Sequence, residues 1–246
     1  MSSIDSGIVT PPEYAPIGEA VEGEVIGEIV NVPGIGKLTP CELSMFYQLL
    51  VGRGRNPDYV AATISFESGF RTTVKNPKSS ATGIMQVMDG YARKKFGMSA
   101  SEVGQQSMAW QIRNIVATWS WPKSDDVGDY HLSHFMPALL GKPDDFVLAE
   151  KDSSEKLPGG LTKGKVYQAN SPGIDPNKDG LVTIAEFKSH VRGVYSTAAK
   201  KPRIPVIYCD LERVSTSSSK GAFPLGPVVG GAVALGTIWL LARRRK

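Results

Sequence analysis

Two stretches of this chain carry residue types at spacings that can do chemistry. The first is "ISFESGF", where Glu67 closes an apolar run and is flanked by Phe66 and Phe70. Breaking a glycosidic bond at neutral pH needs a protonated carboxyl beside the leaving oxygen, and an apolar setting is what keeps a carboxyl protonated. The sequence around Glu67 offers such a setting, although Glu is most often an exposed helix charge. The nearest acids, Glu42 and Asp89, are distant in sequence, so no paired carboxylate is evident. The second stretch is "DPNKDGLVTIAE", residues 175–186, which fits D-x-N-x-D-G-x-x-x-x-x-E without a mismatch. A calcium loop of this kind needs side-chain oxygens at its first, third and fifth positions, a glycine at the sixth, a backbone carbonyl at the seventh and a bidentate Glu at the twelfth. Those positions are Asp175, Asn177, Asp179, Gly180, Leu181 and Glu186, with Thr183 at the ninth. The plain alternative is an acidic turn that caps the helix after it.

The elements that must position these residues read mostly as helices. "CELSMFYQLLVGRG" after Thr39-Pro40 is an amphipathic helix stopped by glycine. "PDYVAATISFESGF" starts at Pro57 and has Val60, Ala61 and Ile64 at helical spacing, which puts Glu67 on its last turn. "SSATGIMQVMDGYARKKFG" reads as a loop and a helix. "SASEVGQQSMAWQIRNIVATWSW" carries the stripe Val103, Met108, Ile112, Ile115 and Trp119 and reads as one long helix. "VGDYHLSHFMPALL" is a further helix, broken at Pro137. Pro172 argues against a full helix leading into residues 175–186, so a single isolated loop with a structural calcium ion is expected.

The chain has 246 residues, 41% of them hydrophobic and 21% charged, enough for one sizeable domain with appendages. Residues 1–40 hold six acids and one base, so the net charge of +4 hides an acidic arm and a basic body. A basic body suits an anionic polymer or surface, and charge does not choose among nucleic acid, acidic glycan and membrane. Cys41 and Cys209 are far apart and match no metal spacing; unpaired or buried thiols are the expected state. No secretory signal is visible at the N-terminus. Residues 221–242 carry no charge, contain a GxxxG at Gly226 and Gly230, and are followed by Arg243, Arg244, Arg245 and Lys246. That length and that basic flank are those of a membrane-spanning helix.

The series "FESGF", "NPKSSATGIMQV" and "DYHLSHFMP" resembles the lysozyme-like fold of the lytic transglycosylases, in particular versions found in bacteriophage virion proteins. The resemblance covers residues 41–145. It implies that Glu67, followed by Ser68, is the sole catalytic acid and base. It also implies that Gly83, Ile84, Met85 and Gln86 line the saccharide groove and that Tyr130 orients Glu67. The sequence departs from the family's usual A-Y-N-A-G at this last motif, where His131 stands in place of Asn. The implied reaction is cleavage of the MurNAc–GlcNAc bond of peptidoglycan, with the sugar's own C6 hydroxyl closing a 1,6-anhydro ring. Goose-type lysozymes share the fold and use water, and both outcomes fit this sequence. Some lytic transglycosylases are similar in carrying a calcium loop.

The architecture expected is mainly α. A flexible acidic arm (1–40) precedes a goose-type-lysozyme or soluble-lytic-transglycosylase-like domain (41–200) that includes the calcium loop. A linker (201–220), a transmembrane helix (221–242) and a basic tail (243–246) complete the chain. The expected partners are peptidoglycan strands, a lipid bilayer through 221–242 and other virion proteins, with no nucleic acid. The expected place is a virion membrane, with the bacterial cell envelope as the alternative. The competing class is a non-enzymatic protein that binds glycan or fastens a membrane vertex.

Overall fold

The computed structural model describes residues 21–77 and 79–211. In chain order they form β1 (Val25–Ile29), α1 (Pro40–Val51), α2 (Pro57–Glu67), α3 (Asp89–Phe96), α4 (Ala100–Gly104), α5 (Met108–Gln111), α6 (Val127–Phe135), β2 (Val147–Glu150), α7 (Lys163–Ile174), β3 (Leu181–Thr183), α8 (Ile184–Ala199) and β4 (Ile204–Ile207). Two small antiparallel sheets pair β1 with β4 and β2 with β3. The expectation of a mainly α chain is therefore corrected to a mixed one. Its strands are only three to five residues long and lie in Gly-rich or charged segments, where alternation is too short to be legible.

The expected transmembrane helix is corrected as well. Among the described residues no helix is long and apolar enough to cross a membrane. Residues 221–242 lie outside the described residues, so the single-pass anchor and the membrane location drawn from it are withdrawn.

Local chemistry sets where α1 and α2 begin. Thr39 and Glu42 form a reciprocal capping box ahead of α1. At α2 the Asn56 side chain accepts from the backbone N–H groups of Asp58 and Tyr59, and Pro57 takes the first helical position, where its missing N–H costs nothing. The long helix expected between Ser99 and Trp119 is broken. Ser107 caps a new start by accepting from the Trp110 N–H, and residues Ile112–Val116 run on as a π-turn.

The arm is shorter than its composition suggests. Residues 25–38 belong to the body: β1 pairs with β4, and Ile29, Val30, Val32 and Ile35 are buried. Asp58, almost fully buried near the start of α2, accepts from the Val30 N–H at 2.8 Å and from Arg203 Nη2 at 2.8 Å. Arg203 also donates to the Glu28 carbonyl, so one ion pair fastens β1 and β4 to α2. Residues 204–207, read as the start of a linker, are β4 itself. A disulfide joins Cys41, at the start of α1, to Cys209, just beyond β4. The expectation of unpaired thiols is corrected by that bond.

Helix α6 is the centre of the second half, packed between α2 and α8. Gly128 admits α8 closely, since a Cβ there would run into Lys188. Lys188 in turn bonds Asp129 at 2.8 Å, and Arg192 bonds Asp126 through two nitrogens.

Candidate active site

Glu67 is the last residue of α2, and the chain reverses tightly just after it. Gly69 and Phe70 both take left-handed backbone angles (φ 56° each), which costs nothing at glycine and is unusual at phenylalanine. Within that reversal the buried Ser68 hydroxyl donates to the Ile84 carbonyl at 2.9 Å. The end of α2 and the "ATGIMQ" turn are thereby joined.

A residue that sequence reading missed holds the turn from its other side. The buried Gln111 side chain accepts from the Ile84 N–H at 3.0 Å and donates to the carbonyls of Val103 and Gln106 at 3.1 Å each. Gly83 (φ 84°) sits directly over it, and a Cβ at that position would meet Gln111 Oε1 at 2.7 Å.

The Glu67 carboxyl faces α6. Its Oε1 lies 3.6 Å from His134 Nε2 and 3.9 Å from His131 Nε2, and the three side chains are between 1% and 5% exposed. Glu67 Oε1 and the Nδ1 atoms of both histidines are buried without a hydrogen-bond partner. Buried polar atoms are nearly always paired, so an orphan on each of these three neighbouring side chains is an unusual feature of the fold. His131 is walled by Phe66 and Phe187, with ring centroids 4.9 and 5.5 Å away. Burial pushes its pKa down to about 4, against the pull of the Glu67 carboxylate and with help from His134 and His190. It is therefore a neutral imidazole at physiological pH. His134 lies against Trp119 at 5.0 Å, a ring that is only half-buried. His190, the chain's third histidine, lies behind Phe66.

The remaining expected site residues divide. Ser68, Gly83 and Met85 are assembled around the turn, with Met85 fully buried. Gln86 (φ 45°) spends its amide within the turn, donating to Gly83 O and Val74 O. Tyr130 is placed away from Glu67. Its hydroxyl accepts from the Asn56 N–H at 3.0 Å, at the opposite end of α2. The helix's 11 residues put about 16 Å between those ends. Tyr130 thus holds the start of the helix, and His131 and His134 occupy the position beside the carboxyl that the tyrosine was expected to take. The signal for this was the i, i+3 spacing in "HLSH", which puts both imidazoles on one helix face.

The loop 175–186 lies between α7 and α8. The isolated loop expected from Pro172 is corrected to a full helix–loop–helix, because α7 runs through that proline to Ile174. Asp175 accepts from the Tyr167 hydroxyl and from the N–H groups of Lys178 and Gly180. The Tyr167 bond is the main cause holding its carboxyl below the ordinary aspartate range. The Asn177 amide donates to Asp179 and Glu186 at 3.0 Å each, standing between two carboxylates that would otherwise repel. Gly180 has φ 87°, as the sixth position of a calcium loop requires, and the Leu181 N–H donates to Asp179. Thr183 and Glu186 form a capping box for α8. Among the described residues no three His, Cys, Asp or Glu side chains are already gathered as a metal site. The oxygen-only donors, the glycine and the converging acids fit a hard cation all the same.

No protein-family model matches this chain, and no curated protein matches it.

Proposed function

We propose that this chain cleaves peptidoglycan as a lytic transglycosylase, with Glu67 as the proton donor. The observation that carries the reading is the Glu67 carboxyl itself. It is buried at the end of α2, has an unpartnered oxygen, and is tied through Ser68 to the turn that carries Gly83, Met85 and Gln86. Glu67 protonates the glycosidic oxygen as the C–O bond breaks, and an oxocarbenium-like transition state forms at the anomeric carbon. The C6 hydroxyl of the same sugar then closes the anhydro ring and its proton returns to the Glu67 carboxylate, which accounts for a site built on one carboxylate. The basic body suits the anionic groups of peptidoglycan. A role in opening the wall for genome delivery rests on the resemblance to virion enzymes alone.

We also propose that Asp175, Asn177, Asp179, Thr183, Glu186 and the Leu181 carbonyl hold a calcium ion. Its chemistry there is structural, the neutralisation of converging carboxylates between α7 and α8.

The depth of the Glu67 carboxyl, 1% exposed, favours a second reading in which it is a structural partner of the two histidines in a glycan-binding protein. A zymogram on peptidoglycan with wild type and Glu67→Gln separates the two. General acid catalysis is worth about 10²–10⁴-fold, so the variant should clear no zone. A variant that keeps more than about a tenth of the activity overturns the enzymatic reading. Mass spectrometry of the products then assigns anhydro-forming or hydrolytic chemistry.

A further inference from the structure

We infer that His134 is a second proton-transfer residue of this site, with His131 as the residue that positions it and Glu67. This rests on the reading of Glu67 as the glycosidic acid and extends it from one catalytic group to two.

The geometry is that of an acid–base pair. Helix α6 presents His131 and His134 one turn apart on a single face, and both Nε2 atoms point at the same oxygen, Glu67 Oε1. The titratable groups around that oxygen are Glu67 from α2, His131 and His134 from α6, and His190 from α8 behind Phe66. The two near imidazoles differ in surroundings. His131 is clamped between Phe66 and the fully buried Phe187, so it is held in place and held neutral. His134 is the more exposed of the two, and its ring rests on the half-buried Trp119. The attacking hydroxyl would have to sit within hydrogen-bond reach of both His134 Nε2 and Glu67 Oε1, which are 3.6 Å apart.

The proton balance closes. Glu67 gives its proton to the leaving oxygen as that oxygen parts from the anomeric carbon. The nitrogen lone pair of His134 takes the proton of the attacking hydroxyl, from C6 or from water, as its oxygen bonds the anomeric carbon. That proton passes from His134 Nε2 to Glu67 Oε1, 3.6 Å away, and the starting state returns. A base that works in this way needs its nitrogen lone pair within reach of the attacking hydroxyl and of the carboxyl it resupplies, which His134 Nε2 satisfies at 3.6 Å from Glu67 Oε1.

The test is kcat and KM for peptidoglycan solubilisation by full-length wild type, Glu67→Gln, His134→Gln and His131→Gln. His134→Gln should lower kcat by about 10²-fold with KM little changed, and regain activity in added imidazole. His131→Gln should lower kcat less and gain nothing from imidazole. If Glu67→Gln is dead while His134→Gln stays within about twofold of wild type, the inference falls and the reading of Glu67 stands. If Glu67→Gln is active, both fall. Should His134→Gln fail to fold, nitrogen NMR of the histidines in wild type and Glu67→Gln decides. The His134 signals must shift with that substitution, and signals indifferent to it overturn the pairing.

Discussion

Phe187 lies against His131, ring centroids 5.5 Å apart, and Phe187 is the residue directly after Glu186 at the end of the 175–186 loop. The same ring stacks on Phe135 at 5.2 Å, so the first turn of α8 wedges the helix that carries both site histidines. Phe187→Ala should cost about 3–5 kcal/mol, as for a buried ring removed from a core. It should also raise the His131 pKa from about 4 toward the ordinary value, since burial is the chief cause that lowers it. A denaturant melt and a histidine NMR titration check both, and an unchanged His131 titration would show that Phe187 is not its wall.

The calcium proposal predicts a difference between two buffers. Glu186→Gln loses a charge and a good oxygen at the bidentate position, so calcium affinity by calorimetry should fall strongly. In calcium the variant's melting temperature should drop well below that of wild type. In chelator the gap should be small, reflecting only the weakened capping box at Thr183. Equal calcium stabilisation of both proteins would exclude this loop as the site.

The Cys41–Cys209 bond closes a loop with a sequence separation of 168 residues. In the chain-entropy account such a closure stabilises by about 5 kcal/mol through the unfolded state. Reduction, or Cys41→Ser with Cys209→Ser, should move the urea midpoint down by a corresponding amount. The Ser44 hydroxyl that accepts from the Cys209 N–H would be among the first contacts to loosen. Coincident urea curves with and without reductant, with thiol counting showing two free cysteines, would remove the bond's role.

His131 gives the stability a pH dependence of known sign. The unfolded chain takes up this proton near pH 6.5, and the folded chain only near pH 4. Between those values the unfolded state binds more protons, so stability falls as the pH drops from about 6.5 to about 4 and levels below. The shift corresponds to a loss on the order of 3 kcal/mol. His190, whose pKa burial also lowers, adds a decline of the same sign. His131→Gln should therefore show a shallower decline in that window than wild type, read from urea midpoints across pH. Parallel curves would mean that His131 is not held neutral by the fold.

How much of this fold is legible in the sequence depends on the range of the interactions involved. Asn56-Pro57 starts α2 through local bonds from the N–H groups of Asp58 and Tyr59, so the placing of Glu67 on the helix's last turn was legible. The pairing of β1 with β4 and the Cys41–Cys209 bond join segments at opposite ends of the chain, and no local pattern encodes either. The existence of α6 was legible, but its rotation was not. Periodicity puts His134 on one face with both His131 (i, i+3) and Tyr130 (i, i+4), without saying which of the three meets Glu67. The break at Ser107 lost to the apolar stripe because a one-residue cap weighs little against five well-spaced hydrophobic residues. At Pro172 the helix continues through the proline that the sequence alone argues should stop it.

Gln111 offers the sharpest test of how the site is supported, because it is buried and holds the turn that carries the expected groove positions. Its carbonyl oxygen satisfies the Ile84 N–H, and its amide satisfies the carbonyls of Val103 and Gln106. Gln111→Leu keeps the volume but takes the side-chain partner from the Ile84 N–H and the Gln106 carbonyl, while the Val103 carbonyl still accepts from the Gln106 N–H. Each orphaned buried group costs about 1–3 kcal/mol, so the loss should exceed about 2 kcal/mol unless the turn opens to water. Opening would move Ile84, and with it the carbonyl that fixes Ser68 beside Glu67 at 2.9 Å. Gln111→Glu should be the harsher change, since a buried carboxylate would face the carbonyls of Val103 and Gln106 with no hydrogen to give them. A urea melt and a peptidoglycan assay on both variants check this order. If Gln111→Leu is as stable and as active as wild type, the turn does not depend on this side chain and the support assigned to it is wrong.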